Sequence, residues 1–425
     1  MDYDTIILGG GLTGLFVGYK LSKKGRKILI IEKSKELGGL LGSFETRGCP
    51  IEKYYHHVFK MDKNFTQLVK ELDIEGFGWN KSDLGFYTDG EIHDMSTPFH
   101  LGTFSPLKLS EKIQFVLLAL KMKTSKDFKK LDKITAKEWL IKNSSEGLYN
   151  KFFRPLLRSK YGDNSKKASA AWFIERINLR TTGGLGKENL GYIECGFQKL
   201  IDRLEERIIE NGGEIIKSKT ASKLLIKNQK IEGVILGRKQ LKSKYVVSTI
   251  PLPELAKFKE LPDDYREKIL SLRYQGAICL ILGLKRSLSR FYWTNIIDDS
   301  LIGAIIEHTN LQPIENYKDH VVYLASYPDY NSNLWKFSGK KVFERYFDAL
   351  KEIFPEITKK DVKWWKLARD INAGIVYETG YQKKKVGNKT PIENFVIGGM
   401  FNHYPDRSIE GTLVVGNRIL ELIEN

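Results

Sequence analysis

Three sets of residues in this chain have the types and spacing for chemistry. Gly9-Gly10-Gly11-Leu12-Thr13-Gly14 is a G-x-G-x-x-G pattern, and Glu32 follows Gly14 by 18 residues. Glycines in that order permit a tight turn at Gly9 and a close approach of a pyrophosphate at Gly11. Gly14 and Gly18 then let a helix lie close on a sheet. The helix N-terminus turns unpaired N–H groups and partial positive charge toward the phosphates. Glu32 would accept from a ribose hydroxyl and repel a 2′-phosphate. The second set is His56-His57, which can move protons near neutral pH or hydrogen-bond a ligand edge. Adjacent strand residues point to opposite faces, so the bland alternative is one core histidine and one surface histidine. The third set is basic: Arg154, Arg158 and Lys160 with Tyr161, then Arg176 and Arg180 at the same four-residue spacing. Residues four apart share a helix face, and guanidinium forks suit carboxylate or phosphate oxygens. With 69 Lys and Arg in the chain, a solvated basic face explains any single pair as well. His93, His100, His308, His320 and His403 show no ligand spacing, so no metal is expected.

The elements that must position these groups are legible around them. Thr5–Leu8 is a short apolar run, the glycines follow at once, and a helical pattern (Leu15, Val17, Leu21) closes at Gly25. A second apolar run spans Ile28–Ile31, giving strand, turn, helix and strand within the ~30 residues of a βαβ unit. Further on, Tyr192–Phe197 precedes an amphipathic helix that runs to Gly212-Gly213, followed by a Glu214–Ile216 strand. A Thr220-Ala221-Ser222 strand, a hairpin over Leu224–Leu236 and a strand from Tyr245 to Pro251 come next. Asn394–Gly399 reads as a strand, and Ser408 as the cap of a helix from Ile409 to Ile423.

The chain has 425 residues, 41% hydrophobic and 28% charged, with a net charge of +17. That length predicts two domains or one elaborated α/β unit. The composition excludes a disordered tail, a collagen or a disulfide mini-scaffold. The positive surplus favours anionic partners, but no nucleic-acid recognition motif is present and none is expected to bind. Cys49, Cys195 and Cys279 lie far apart without a C-x-x-C, so neither a disulfide framework nor a zinc site is read, and a reducing compartment follows. Thr5–Tyr19, the longest uncharged stretch, is too short to span a bilayer, and Asp2 and Asp4 precede it where a signal peptide has positive charge. The expected location is cytoplasmic, at most peripheral at the inner membrane face. Leu107–Lys133 sets Ile113, Val116, Leu117, Leu118 and Leu120 beside Lys121, Lys123, Lys126, Lys129, Lys130 and Lys133. Such a segment lies on an anionic membrane or is a domain helix with a solvated tail; the second is favoured over peripheral membrane contact.

After Glu32, five residues lead to Gly38-Gly39. This resembles the second fingerprint of FAD-binding enzymes of the glutathione-reductase-like fold, among them amine oxidases, protoporphyrinogen oxidases, phytoene desaturases and UDP-galactopyranose mutases. An Arg often follows that glycine pair, and here Leu40 does. The Tyr192–Phe197 block resembles the same superfamily with Cys195 in place of a glycine, and Phe153–Gly162 resembles a segment of protoporphyrinogen-oxidase-like proteins. The resemblance implies an α/β fold: a Rossmann-like FAD-binding domain assembled from residues 1–75, 189–259 and 389–425, with an α+β substrate-binding domain from 76–188 and 260–388. It implies a cofactor site of Gly9, Gly11, Leu12, Thr13, Gly14, Glu32, Lys33, Gly38, Gly39, Leu40, Ala221, Gly399, Met400, Ser408 and Ile409. Ala221 would rest against adenine, and the helix beginning at Ile409 would face the flavin O2 edge, where reduced flavin carries negative charge. An acid usually stands where Met400 does, and Asp406 or Arg407 would take over its ribityl contact.

His57 aligns with the first histidine of the mutase segment His-x-Phe-His, with Lys60 in place of the second, which brings His57 and His56 toward the flavin. Trp364, Trp365, Arg369, Tyr377 and Tyr381 lie on the segment leading back to it, as aromatic walls or as ordinary core. The candidate catalytic residues are therefore His57, His56, Arg369 and Tyr377. The activity implied is that of an FAD-dependent oxidoreductase passing hydride from a C–H bond of a small, anionic or amphipathic substrate to flavin N5, with an unknown electron acceptor such as oxygen or a quinone. FAD would be noncovalent, because no cysteine lies near the C-terminus. The alternatives are a mutase-like isomerase without net redox change and a protein in which FAD is structural.

Overall fold

The computed structural model describes residues 1–180 and 186–424. In chain order the elements used below are β1 (Tyr3–Leu8), α1 (Leu12–Ser22), β2 (Ile28–Ile31), α2 (Lys63–Glu71), β3 (Leu84–Thr88), β4 (Glu91–Asp94), α3 (Leu109–Thr124), α4 (Arg154–Tyr161), α5 (Ala170–Arg180), α6 (Gln198–Glu210), β5 (Glu214–Ile216), β6 (Ala221–Lys227), β7 (Lys230–Leu236), β8 (Lys239–Ser248), β9 (Tyr274–Leu284), β10 (Trp293–Ile296), β11 (Ala304–Glu307), β12 (His320–Ser326), α7 (Gly339–Ile353), β13 (Val362–Ile375), β14 (Phe395–Ile397) and α8 (Ile409–Glu424).

The apolar runs of β1 and β2 become parallel neighbours because helices cover both of their faces, which is why they read as continuous rather than alternating hydrophobicity. The first seven-stranded sheet runs β6-β7-β8-β1-β2-β5, with β14 beside β8. Its β6-β7-β8 part is an antiparallel meander, and the rest is parallel. Helix α1 is buried along nearly its whole length between this sheet and the helices α6 and α8. A Cβ on Gly416 would lie 2.5 Å from the Phe16 ring, so a side chain there would push α8 off α1.

The second seven-stranded sheet runs β13-β9-β12-β11-β10-β3-β4, antiparallel except where β3 meets β10. Its long strand β9 is buried from Gln275 onward, and α7 covers one face through Val342, Phe347 and Leu350. An apolar cluster extends from Ile6 and Leu8 through Phe395 and Tyr377 to Phe153 and Trp172, tying the helices α4 and α5 to the first sheet.

Two expectations are corrected. Cys49 and Cys195 form a disulfide, with Cα atoms 4.9 Å apart although 146 residues separate them in sequence. The hairpin formed by residues 43–44 and 51–52 packs against the turn before α6, and that pairing removes the argument from cysteines for a reducing compartment. Helix α3 is a domain helix that buries Leu118 and Met122, but it turns Leu109, Ile113, Val116, Leu117 and Leu120 outward. No helix among the described residues is long and apolar enough to cross a membrane.

Candidate active site

The glycine turn between β1 and α1 is built by local geometry. Gly9 has φ +106°, a left-handed conformation that favours glycine, and it begins the turn between β1 and α1. A Cβ on Gly14 would fall 2.1 Å from the Gly9 carbonyl oxygen and 2.9 Å from Thr249 Oγ1, so only glycine allows α1 to approach this closely. At Gly11 the opposite holds: a Cβ would meet nothing within 4 Å. Beyond Gly11 is open space, and the N-terminus of α1 has no capping side chain and no acid in its first turn. The amides of Leu12, Thr13 and Gly14 precede the first intrahelical bond, Leu15 N–H to Gly11 O, and are free to meet phosphate oxygens. This cradle fits a dinucleotide pyrophosphate.

Glu32 is fixed from two sides: Gly10 N–H donates to Oε2 at 2.6 Å and Ser34 N–H to Oε1 at 2.8 Å. A carboxylate has lone pairs to spare for a ribose hydroxyl. Gly38 N–H donates to Gly10 O at 2.8 Å, which joins the second glycine pair to the first turn. Gly39 and Lys33 are exposed, and Leu40 is half-buried. Ser218 N–H donates to Ser34 O and Lys219 N–H to Glu32 O, which brings the segment leading into Ala221 beside Glu32.

At the start of α8, Ser408 Oγ accepts from Gly411 N–H at 3.0 Å and caps the helix. Glu410 turns away from that helix start. Its carboxylate instead accepts from Asn64 N–H, Asn64 Nδ2 and Phe65 N–H at the start of α2, leaving the α8 N-terminus with Ser408 and Ile409. Gly399 N–H donates to Asn402 Oδ1, and Met400 gives only its carbonyl oxygen to the Tyr377 hydroxyl at 2.9 Å. The carbonyls of His403 and Asp406 also lie within hydrogen-bonding distance of this hydroxyl and share its single proton, so Tyr377 clamps the loop entering α8 instead of facing outward. Tyr381 and Tyr404 pack edge-on against it.

Between this loop and the second sheet lies a basic, aromatic cluster of side chains. Lys160 Nζ donates to the Tyr55 hydroxyl at 3.2 Å and stands 4.7 Å over Trp293 and 4.9 Å over Tyr327. The Tyr55 and Tyr327 hydroxyls share a short hydrogen bond. Arg180 lies 4.6 Å over Trp293, Arg176 5.9 Å over Phe59 and Arg407 5.7 Å over Tyr161. Gly374 leaves the room that the Arg407 guanidinium fills. All four cations are partly accessible, and dense protein surrounds Lys160, Arg176 and Arg407. Burial, then Arg176, Arg180 and Arg407, push the Lys160 ammonium well below its usual range. Burial also opposes the charge of Arg407, but the phenols of Tyr161, Tyr327, Tyr377 and Tyr55 reverse that and hold it cationic. The facing acids include Glu188 and Asp62, each raised by its own burial, and Asp406, which accepts from Ser408 Oγ.

The two histidines do point to opposite sides, but neither is a surface residue. His57 Nδ1 meets the Tyr292 hydroxyl at 3.2 Å among Phe59 and Trp293, and burial, then Arg180 and Arg176, keep it neutral. It is a hydrogen-bonding group, not an imidazolium. His56 faces Phe197, has an unpartnered Nδ1, and burial lowers it to about 4. Arg369 is a correction: strand alternation turns Ala368 inward and Arg369 out to solvent, where it donates to Phe337 O at 2.8 Å. Trp364 is a correction as an aromatic wall, since it donates to Asp319 and fills the space over Gly283, and Trp365 stacks on Phe343 in the second sheet's outer layer. Arg154 and Arg158 are exposed. Sequence reasoning did not single out Tyr55, Tyr327, Trp293 or Thr249. Thr249 had a signal in the Ser-Thr-x-Pro strand end, and its hydroxyl donates to the Leu8 and Gly9 carbonyls; the three aromatics had none.

The chain matches, over residues 12–419, the model of the family described as flavin containing amine oxidoreductase. It is 24% identical over 281 residues to the Dictyostelium discoideum protein named "Probable flavin-containing monoamine oxidase A", a match covering 60% of this chain and 58% of that one. It is 30% identical over 101 residues to the UDP-galactopyranose mutase of Mycoplasma pneumoniae, covering 23% and 24% of the two chains. Both matches span less than two thirds of the relative's length. A crystal structure of a candidate protoporphyrinogen oxidase from Exiguobacterium sp. 255-15 superposes with a TM-score of 0.80 at 18% identity, covering 100% of this chain and 99% of that one.

Proposed function

Because the chain belongs to the flavin-containing amine oxidoreductase family, we propose that it is an FAD-dependent oxidoreductase that takes hydride from a C–H bond of a small anionic substrate. Its FAD-binding part is drawn from residues 1–75, 189–259 and 389–425, and its substrate-binding part from 76–188 and 260–388. When bound, FAD supplies a two-electron acceptor at N5 for a substrate C–H next to nitrogen, oxygen or a conjugated system. The α1 N-terminus and Glu32 would hold the pyrophosphate and ribose, and the α8 N-terminus would stabilise negative charge at the flavin O2 edge. Noncovalent binding is supported by the thiols: Cys49 and Cys195 are paired, and Cys279 is buried in β9.

The observation that carries the substrate class is the convergence of Lys160, Arg176, Arg180 and Arg407 on one region, where the acids that act on them among the described residues include Glu188, Asp406 and Asp62, fewer than the cations. Buried cations without matching acids are costly unless an anion joins them. A protonated amine would meet repulsion there. The guanidinium groups would orient a carboxylate or phosphate, and Trp293, Tyr55 and Tyr327 would exclude water from the reacting bond.

The test is a titration of the FAD-reconstituted protein, read by flavin absorbance. Carboxylates and phosphates should perturb the spectrum, and Arg176→Gln should weaken them about tenfold. Rapid anaerobic bleaching by simple amines, with no response to anions, would reject the substrate class. The same cluster also suits the diphosphate of a nucleotide sugar, so a mutase-like isomerase is the second reading. Turnover of a nucleotide sugar by the reduced protein, without reoxidation, would select it.

A further inference from the structure

We infer that the outer face of α3 is a docking surface for an anionic lipid bilayer. At about 100° per residue, Leu109, Ile113, Val116, Leu117 and Leu120 fall within an arc of roughly 100° on the helix. Each keeps between 49% and 74% of its surface exposed. The opposite side of the helix, through Glu111, Leu118 and Met122, is the side that packs on the protein. A helix of a globular domain needs one apolar stripe, and this one has a second that nothing in the fold covers. Lys112 Nζ donates to Gly102 O at 2.7 Å, so the 98–102 turn lies beside the helix and adds exposed Phe99 to the patch.

Charge decides what covers the patch. Lys112 and Lys123 flank one edge of the stripe and Lys121 the other, with Lys126, Lys129 and Lys130 continuing past the helix end. From Phe99 to Lys133 there are eight lysines and three acids. Of those acids, Glu111 turns inward and pairs with Lys151, Asp127 pairs with Lys130, and Asp132 is buried. No acid is left on the outer face to match the lysines. Apolar side chains ringed by lysines fit the boundary of a bilayer carrying acidic headgroups, where the rings and branched chains enter the acyl region and the ammonium groups stay at the phosphates. The surface also bears on the basic cluster. Asn178 of α5 donates to the Met122 carbonyl at 3.3 Å, and the same helix carries Arg176 and Arg180. One helix thus separates the proposed bilayer face from the cationic cluster, a route suited to an anionic substrate with an apolar portion.

The experiment is co-sedimentation of the FAD-loaded protein with vesicles of pure phosphatidylcholine and of phosphatidylcholine with about one third phosphatidylglycerol. The protein should pellet with the anionic vesicles, and release as salt rises from about 0.1 M to about 0.5 M. Leu117→Ser/Leu120→Ser should lower partitioning at least about tenfold, and Lys121→Gln/Lys123→Gln should lower it for anionic vesicles by several-fold. These side chains are exposed, so flavin content and the unfolding midpoint should match those of the unaltered protein. Failure to pellet with anionic vesicles at low salt would overturn the inference, as would equal pelleting by both variants. A concentration-dependent dimer abolished by the leucine substitutions would assign the face to a second copy and overturn it too.

Discussion

The open space at Gly11 and the crowding at Gly14 predict opposite outcomes for one added methyl group. In Gly11→Ala, the new Cβ meets no protein atom within 4 Å, and φ −75°, ψ 174° suits alanine. The apo-protein should keep its stability to within about 1 kcal/mol, since a poorer helix-cap residue is offset by a less flexible unfolded chain. If a pyrophosphate rests against that Cα, the methyl group displaces it. FAD should then bind at least about tenfold more weakly, or about 1.4 kcal/mol. In Gly14→Ala, the Cβ sits 2.1 Å from a backbone oxygen that cannot turn aside. Either α1 lifts from the sheet or the turn opens, which should cost about 3 kcal/mol or more in the apo-protein itself. Urea unfolding of the apo-proteins and flavin fluorescence titration separate the two quantities. Unchanged FAD affinity in Gly11→Ala would refute the assignment of that space to the cofactor. Unchanged apo stability in Gly14→Ala would refute the packing argument.

Three further outcomes follow from the geometry. His56 is held neutral, its value lowered from 6.5 to about 4 by burial. Its stabilisation is therefore complete above pH 6.5 and is lost as pH falls toward 4, amounting to roughly 3 kcal/mol. His56→Phe should show a smaller loss of stability over that window in urea unfolding at several pH values. Lys160 is depressed by burial and three arginines, so an entering anion should recharge it. Calorimetry in buffers of different ionisation enthalpy should record proton uptake on anion binding, absent in Lys160→Met. The Cys49–Cys195 bond closes a loop of 146 residues, so Cys195→Ala should lose about 2–5 kcal/mol, measured against the oxidised protein without reductant.

The cradle was readable in the chain because its physics is local. A turn, a helix start and a neighbouring strand occupy about 30 consecutive residues, and each glycine answers to an atom a few positions away or to the strand packed on it. Gly9, Gly14 and Glu32 sit where the pattern places them, and so does the Ser408 cap of α8. The basic cluster behaves differently. Arg154 and Arg158 have the same spacing as Arg176 and Arg180, yet the first pair points to solvent and the second into the protein. Arg369 was drawn toward the site by its segment and turned out of it by strand alternation.

Sequence alone determined the glycine turn, the uncapped helix start and the acid at Glu32, because backbone conformation and hydrogen bonding there are set by near neighbours. Only the tertiary structure decided which cations converge, which cysteines meet, and which side of α3 is left bare. Those outcomes depend on how elements far apart in the chain rotate to bury the rest of their apolar surface, and a periodic pattern does not record which face the neighbour will take.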